Sequence, residues 1–258
     1  MNFVLITNAF HLRPVGSDAM IFSADERECI YVYTMGKVAS SSIDKTLKRI
    51  GYKTRHFHYF KGDYNSQAES VSSIASLSSL KGESRRIITL TRDPIARNVS
   101  AFFQNLGNFL QTKQDKKDIE KIQETFREKY NHKLPINWFD GEFKATTGVD
   151  IYQIPFDKVQ GYNCIRQGNL HILVMKSEIS DGVKVSALAR FLGDGNRPLE
   201  ILKSNDSADK DYSAVYRQIL NRIRFNEDFL EEIYSSKYSQ HFYTTEELRG
   251  FKEKWMAT

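Results

Sequence analysis

Apolar positions along this chain fall into short β-branched runs, each followed by a stripe spaced by three and four residues, an order that predicts strands feeding helices. Cys29 to Met35 (CIYVYTM) reads as a buried strand, and Ile43, Leu47 and Ile50 then recur as one face of a short helix. Arg86 to Thr91 (RIITLT) is a second buried strand that runs into Arg92, Asp93 and Pro94, where proline suits a first helical turn. Ile95, Val99, Phe102, Phe103, Leu106 and Leu110 predict a helix from about Pro94 to Leu110. Leu170 to Met175 is a third β-like run. Phe3 to Thr7 is a plausible strand ahead of the first, and Tyr52 to Phe60 alternates as a strand or its exit.

Between about residues 112 and 133 charges dominate, yet Ile119, Ile122, Phe126 and Tyr130 keep a helical stripe, which predicts a solvated helical insertion. Leu134 to Asp157 is aromatic-rich and irregular, and Trp138 and Phe139 suit core packing more than sugar stacking. Ser66 to Ser79 is a serine-biased connection. A long helical face through Tyr212, Val215, Ile219 and Ile223 and a second through Phe229, Leu230 and Ile233 make the C-terminal part helical. Thr244 with Glu247 forms a capping box for a last helix ending near Trp255. The expected fold is α/β: a single domain over residues 1–258, with a central parallel sheet flanked by helices, a strand-loop-helix resembling a phosphate loop, and a helical C-terminal part.

Composition narrows the function. Lys plus Arg number 37 against 32 Asp plus Glu, for a net charge of +5, a mild excess that suits an anionic ligand. No dense basic stripe marks a nucleic-acid binder. With two cysteines there is no disulfide framework, no metal-ligand cluster has the usual spacing, and no apolar run reaches the length of a membrane span. A cytoplasmic protein needing no metal is expected.

The chemistry concentrates in YTMGKVASSSIDKTL, Tyr33 to Leu47. Gly36, Lys37, Val38, Ala39, Ser40, Ser41 and Ser42 supply little bulk, several hydroxyls and one ammonium at a helix start, which describes an anion site. Ser41 with Asp44 equally makes a capping box, so the loop reads as an anion site or as a plain cap. It departs from GxxxxGK[ST], because Val38 follows the lysine and Tyr31 stands where the first glycine would be. His56 and His58 share one face of an extended segment and are candidate bases.

The loop KVASSSI after one strand and RDPIARNVSAF after a later one resemble the two signature segments of sulfotransferases that use the donor PAPS. The resemblance covers about Ile30 to Phe103. FDGEF…IYQIPFDKVQGY and YSSKYSQHFYTTEEL are similar to a bacterial branch associated with capsular polysaccharide biosynthesis. The resemblance implies that Gly36 to Ser42 cradle the 5′-phosphosulfate of PAPS and that Arg92 and Ser100 bind the 3′-phosphate. Lys37 would be catalytic and His58, then His56, the base, with Asp63 and Glu69 behind them. Lys203, Asn205 and Lys210 are candidates to close over the adenosine. Many members carry glycine where this chain has Ala39, which argues against a left-handed turn there.

The expected product is PAP and the expected acceptor a carbohydrate or polysaccharide hydroxyl, with peripheral contact to a membrane-bound glycan assembly and no nucleic acid. Two rival readings are a phosphate-loop nucleotide kinase, which needs Ser or Thr directly after Lys37, and a non-catalytic polysaccharide-assembly protein, which has no use for Lys37 with Arg92 and Ser100.

Overall fold

The computed structural model describes residues 29–59, 84–112, 114–193, 198–203, 218, 220 and 222–256. The expected strand Phe3 to Thr7, the serine-biased stretch Ser66 to Ser79, Asp63, Glu69, Asn205, Lys210 and most of the face beginning at Tyr212 lie outside them.

Five strands, β1 (Ile30–Tyr33), β2 (Thr54–Phe57), β3 (Arg85–Thr91), β4 (Tyr162–Gln167) and β5 (Leu170–Lys176), form one sheet in the order β2-β1-β3-β5-β4. β1 runs parallel to β2 and β3, and β3 parallel to β5. β1 and β5 are buried along their whole length, as strands covered on both faces must be.

The sheet is mixed rather than purely parallel, because β4 pairs antiparallel with β5. β4 lacks a continuous apolar run. As an edge strand it buries Tyr162 and Ile165 and leaves Arg166 and Gln167 in solvent. The two-residue turn that joins it to β5 has Gly168 at φ 58°, a left-handed position that glycine takes without a Cβ clash.

The first helix, α1 (Ser40–Arg49), connects β1 to β2. The stripe after β3 forms α2 (Pro94–Gln104), which breaks at Asn105 before a short α3 (Leu106–Phe109) instead of continuing to Leu110. The charged segment contains α4 (Ile119–Lys129), whose Ile122 and Phe126 are buried. Phe126 packs 5.1 Å from Phe102 and 6.0 Å from Phe225, so this helix joins the common core rather than standing off in solvent.

The segment expected to be irregular is largely helical: α5 (Leu134–Trp138), a π-helical turn over Phe139–Phe143, and α6 (Lys144–Thr147), which ends at Gly148. The wide turn shifts the helix face by a residue, which erases the 3.6-residue period while burying Trp138, Phe139 and Phe143. α7 (Asp181–Leu192) follows β5. The C-terminal helices are α8 (Glu227–Tyr234), α9 (Lys237–Phe242) and α10 (Thr245–Trp255), the last with its expected capping box of Thr244 and Glu247. No helix of the described residues is long and apolar enough to cross a membrane.

Candidate functional site

β1 is followed on one side by β2, through α1, and on its other side lies β3. That reversal makes the carboxyl ends of β1 and β3 a switch point, where an open α/β sheet leaves a crevice for ligands. The loop Thr34–Ala39 and the turn Arg92–Asp93 leave the sheet there. Thr34 separates the strand ends: its Oγ1 accepts from Leu90 N at 3.0 Å and donates to Leu90 O at 3.1 Å, filling the ladder position that β1 vacates.

Beyond Thr34 the backbone enters the left-handed region twice, at Lys37 (φ 72°) and Ala39 (φ 62°). Alanine therefore does make the turn that its side chain argues against, at a cost of about 1–2 kcal/mol per residue. Two guanidinium groups hold this backbone from the β3–α2 side. Arg92 Nη1 donates to Lys37 O at 2.8 Å, and Arg97 Nε donates to Gly36 O at 2.9 Å. Arg97 is buried and its Nη1 also donates to Tyr130 Oη at 2.9 Å and to Asn98 Oδ1 at 3.1 Å.

The N-cap residue of α1 supplies no side-chain hydrogen bond. Ala39 is its N-cap, no acidic residue lies in the first turn, and the Ser41–Asp44 capping box does not form. Asp44 instead binds Lys48 Nζ at 2.8 Å and accepts from Thr54 Oγ1. Among the described residues, the first turn of α1 thus carries no carboxylate against the positive end of its dipole. Of the hydroxyls, Ser40 is buried and its Oγ lies 2.8 Å from His56 Nε2, while Ser41 and Ser42 are half-buried; Val38 is core.

His56 and His58 do lie together, with ring centroids 5.0 Å apart, but they differ in role. His58 Nδ1 lies 2.8 Å from Thr34 O. A carbonyl oxygen can only accept, so Nδ1 carries the proton and Nε2 keeps its lone pair. Burial lowers the His58 pKa; the Thr34 bond opposes that shift, and the charges of Arg97 and Lys37 add to it. His56 is pushed down to about 4, mainly by burial and then by the charge of His58. It is neutral near pH 7, with Nε2 engaged by Ser40.

Gly36, Lys37, His58 and Arg97 line one side of a cleft of about 450 Å³ whose far wall comes from α2, α3 and the end of α4. Ser100 is half-buried on α2, outside that lining. Arg92 is likewise outside that lining and meets the loop through Lys37 O.

Several residues that serve the site carried no motif of their own. Arg97 and Tyr130 clamp the loop, and Trp138 Nε1 donates to His58 O at 3.2 Å. The Arg92–Asp93 turn is held by the C-terminal helices. Arg92 N donates to Tyr238 Oη at 3.0 Å, and the Tyr238 hydroxyl donates to Arg92 O at 2.9 Å. Asp93 is fully buried and accepts from Trp255 Nε1 at 2.8 Å, Tyr234 Oη at 2.9 Å and Ile95 N at 3.1 Å. Asp93 N donates to Glu178 Oε1 at 2.7 Å. Burial raises both carboxyls, and the donors around Asp93 pull the other way. These contacts reach across 141 and 162 residues of chain, so local periodicity could not signal them. Lys203, the described member of the adenosine candidates, lies outside the cleft with Leu199 to Leu202 and the start of α7.

A family model described as "Putative capsular polysaccharide synthesis protein" (NKWYS) matches residues 111–244, just over half of the chain. The matched segment contains Tyr130, Trp138, Glu178 and Tyr238, which brace the loop, His58 and the Arg92 turn. No curated protein and no solved structure matches the chain.

Proposed function

The chain belongs to the NKWYS family, described as "Putative capsular polysaccharide synthesis protein"; we propose, from the chemistry of the cleft, that it transfers a sulfuryl group from PAPS to a carbohydrate hydroxyl. The observation that carries this reading is His58, a neutral imidazole with a fixed tautomer whose cleft also contains Lys37. PAPS places its 5′-phosphosulfate against the amides and hydroxyls of Gly36 to Ser42, where the first turn of α1 holds no acidic residue. Each charge-assisted hydrogen bond there contributes about 1.5–3 kcal/mol.

The acceptor oxygen attacks sulfur in line with the bridging S–O bond, and its proton passes to His58 Nε2. The S–O bond breaks with its electron pair on the 5′-phosphate of PAP, and Lys37 Nζ neutralises the charge that develops there. Arg92 serves twice in this scheme. One of its five N–H donors fixes the Lys37 carbonyl, and others face the 3′-phosphate with Ser100.

The acceptor is a sugar of a surface polysaccharide or of its precursor, reached by peripheral contact with the membrane-bound assembly that builds it. A thermal shift with PAP, against ATP plus magnesium, tests the donor assignment. Stabilisation by PAP alone supports the reading; stabilisation by ATP and magnesium alone replaces it with a nucleotide kinase; no shift with either leaves a non-catalytic assembly protein.

A further inference from the structure

The cleft beside His58 has a composition that narrows its ligand. Among the described residues its charged lining consists of Lys37, Arg97 and Lys129, without a carboxylate. Lys37 belongs to the donor loop. The Arg97 guanidinium is committed to Gly36 O, Asn98 and Tyr130. That leaves Lys129, exposed on the last turn of α4, as the cation that faces the rest of the cleft.

The same lining holds the carboxamides of Gln104 and Asn108, exposed and without a hydrogen bond to other described residues, and the ring of Phe109. Carboxamides that can both donate and accept suit vicinal hydroxyls, an aromatic ring suits the apolar face of a pyranose, and an unpaired ammonium suits a carboxylate. At about 450 Å³ the cleft is within the size range of small-ligand sites.

We propose that this cleft is the acceptor subsite and that it selects an acidic glycan, holding a uronic-acid carboxylate at Lys129 and sugar hydroxyls at Gln104 and Asn108. A hydroxyl of that glycan is thereby directed to His58 Nε2. The assignment rests on the sulfuryl-transfer reading for what happens at His58, while recognition of the glycan is independent of the donor.

The test measures binding of a hyaluronan tetrasaccharide, its carboxyl-reduced counterpart and methyl β-glucuronide by calorimetry on the whole chain, with PAP titrated separately. Wild type should bind the acidic ligands at least about tenfold more tightly than the reduced one, with a preference that shrinks as salt is raised. Lys129→Gln should abolish the preference, Lys129→Arg should keep it, and PAP binding should be the same in all three proteins. Asn108→Leu should weaken acidic and reduced tetrasaccharides alike.

Equal binding of acidic and reduced ligands by wild type, an undiminished preference in Lys129→Gln, or no binding of any of the three overturns the proposal. Should PAP fail to bind while the Lys129-dependent preference is present, the acidic-glycan subsite stands and sulfuryl transfer falls.

Discussion

The imidazole of His58 is held through Nδ1 by the carbonyl oxygen of Thr34 at 2.8 Å, and this bond decides which ring nitrogen can take a proton. Asparagine at position 58 can keep a carboxamide N–H near Thr34 but offers no base. His58→Asn is expected to lower kcat by about 10²–10⁴-fold with PAP affinity unchanged. Single-turnover transfer to an acidic oligosaccharide measures it, and a kcat within threefold of wild type would remove His58 from the chemistry.

The same group sets a pH dependence. With His58 as the proposed base, transfer would need its neutral form, and its pKa lies below the ordinary 6.5, so the acid limb of kcat/KM should fall below that pH. Stability follows the same sign through His56. The unfolded chain takes up a proton near 6.5 and the folded one only near 4, so stability is complete above pH 6.5 and declines as pH falls towards 4. Thermal melts between pH 7 and 4 should show this decline, and His56→Gln should lessen it, the other histidines lowered by burial, His58, His132, His171 and His241, keeping their share.

Ala39 adopts φ 62° without a glycine's freedom. Ala39→Gly removes the left-handed strain but gives the unfolded chain more freedom, for a net gain of at most about 1 kcal/mol. Ala39→Val, branched at the β-carbon, should cost more than about 1 kcal/mol at the same position. Urea denaturation of the two variants should give opposite signs; a destabilised glycine variant would mean the turn carries no strain.

Arg97 supports the loop from a buried position, so Arg97→Met leaves the Gly36 carbonyl and the Tyr130 hydroxyl without their donor. A loss of about 2–4 kcal/mol of stability is expected, together with weaker PAP binding. Lys37→Ala makes the useful contrast: it should leave the melting temperature near wild type and depress turnover far more than PAP affinity. Equal losses in turnover and affinity would deny Lys37 a transition-state role.

Asp93 accepts hydrogen bonds on both oxygens from Trp255 and Tyr234. Asn in its place must either turn an N–H₂ towards one of those donors or leave that donor unpaired. Asp93→Asn should cost about 1–3 kcal/mol and loosen the Arg92 turn, read as a lowered melting temperature and faster amide exchange at Arg92. Unchanged exchange at Arg92 would mean that the C-terminal helices do not brace the turn.

Local patterning was enough to place β1, β3, β5, the stripes of α1, α2 and α4, and the capping box of Thr244 with Glu247, because each depends on neighbours within one or two turns of chain. It also located the small-residue loop at a strand-to-helix junction and paired His56 with His58. It missed β4, whose apolar residues are too sparse for an edge strand to announce itself, and it misjudged the run from Leu134 because a π-turn breaks the helical period.

The tertiary structure alone decided the rest. Which histidine keeps a free lone pair depends on Thr34, 24 residues away in sequence. Whether Ala39 could enter a left-handed turn depends on a backbone clamped by Arg92 and Arg97 from another strand and helix. That Asp44 turns to Lys48 and Thr54, so that the Ser41–Asp44 capping box does not form, depends on β2 lying beside that helix. Residue types state what a group can donate, accept or bury, whereas the partner that uses this capacity is set by contacts between segments distant in sequence.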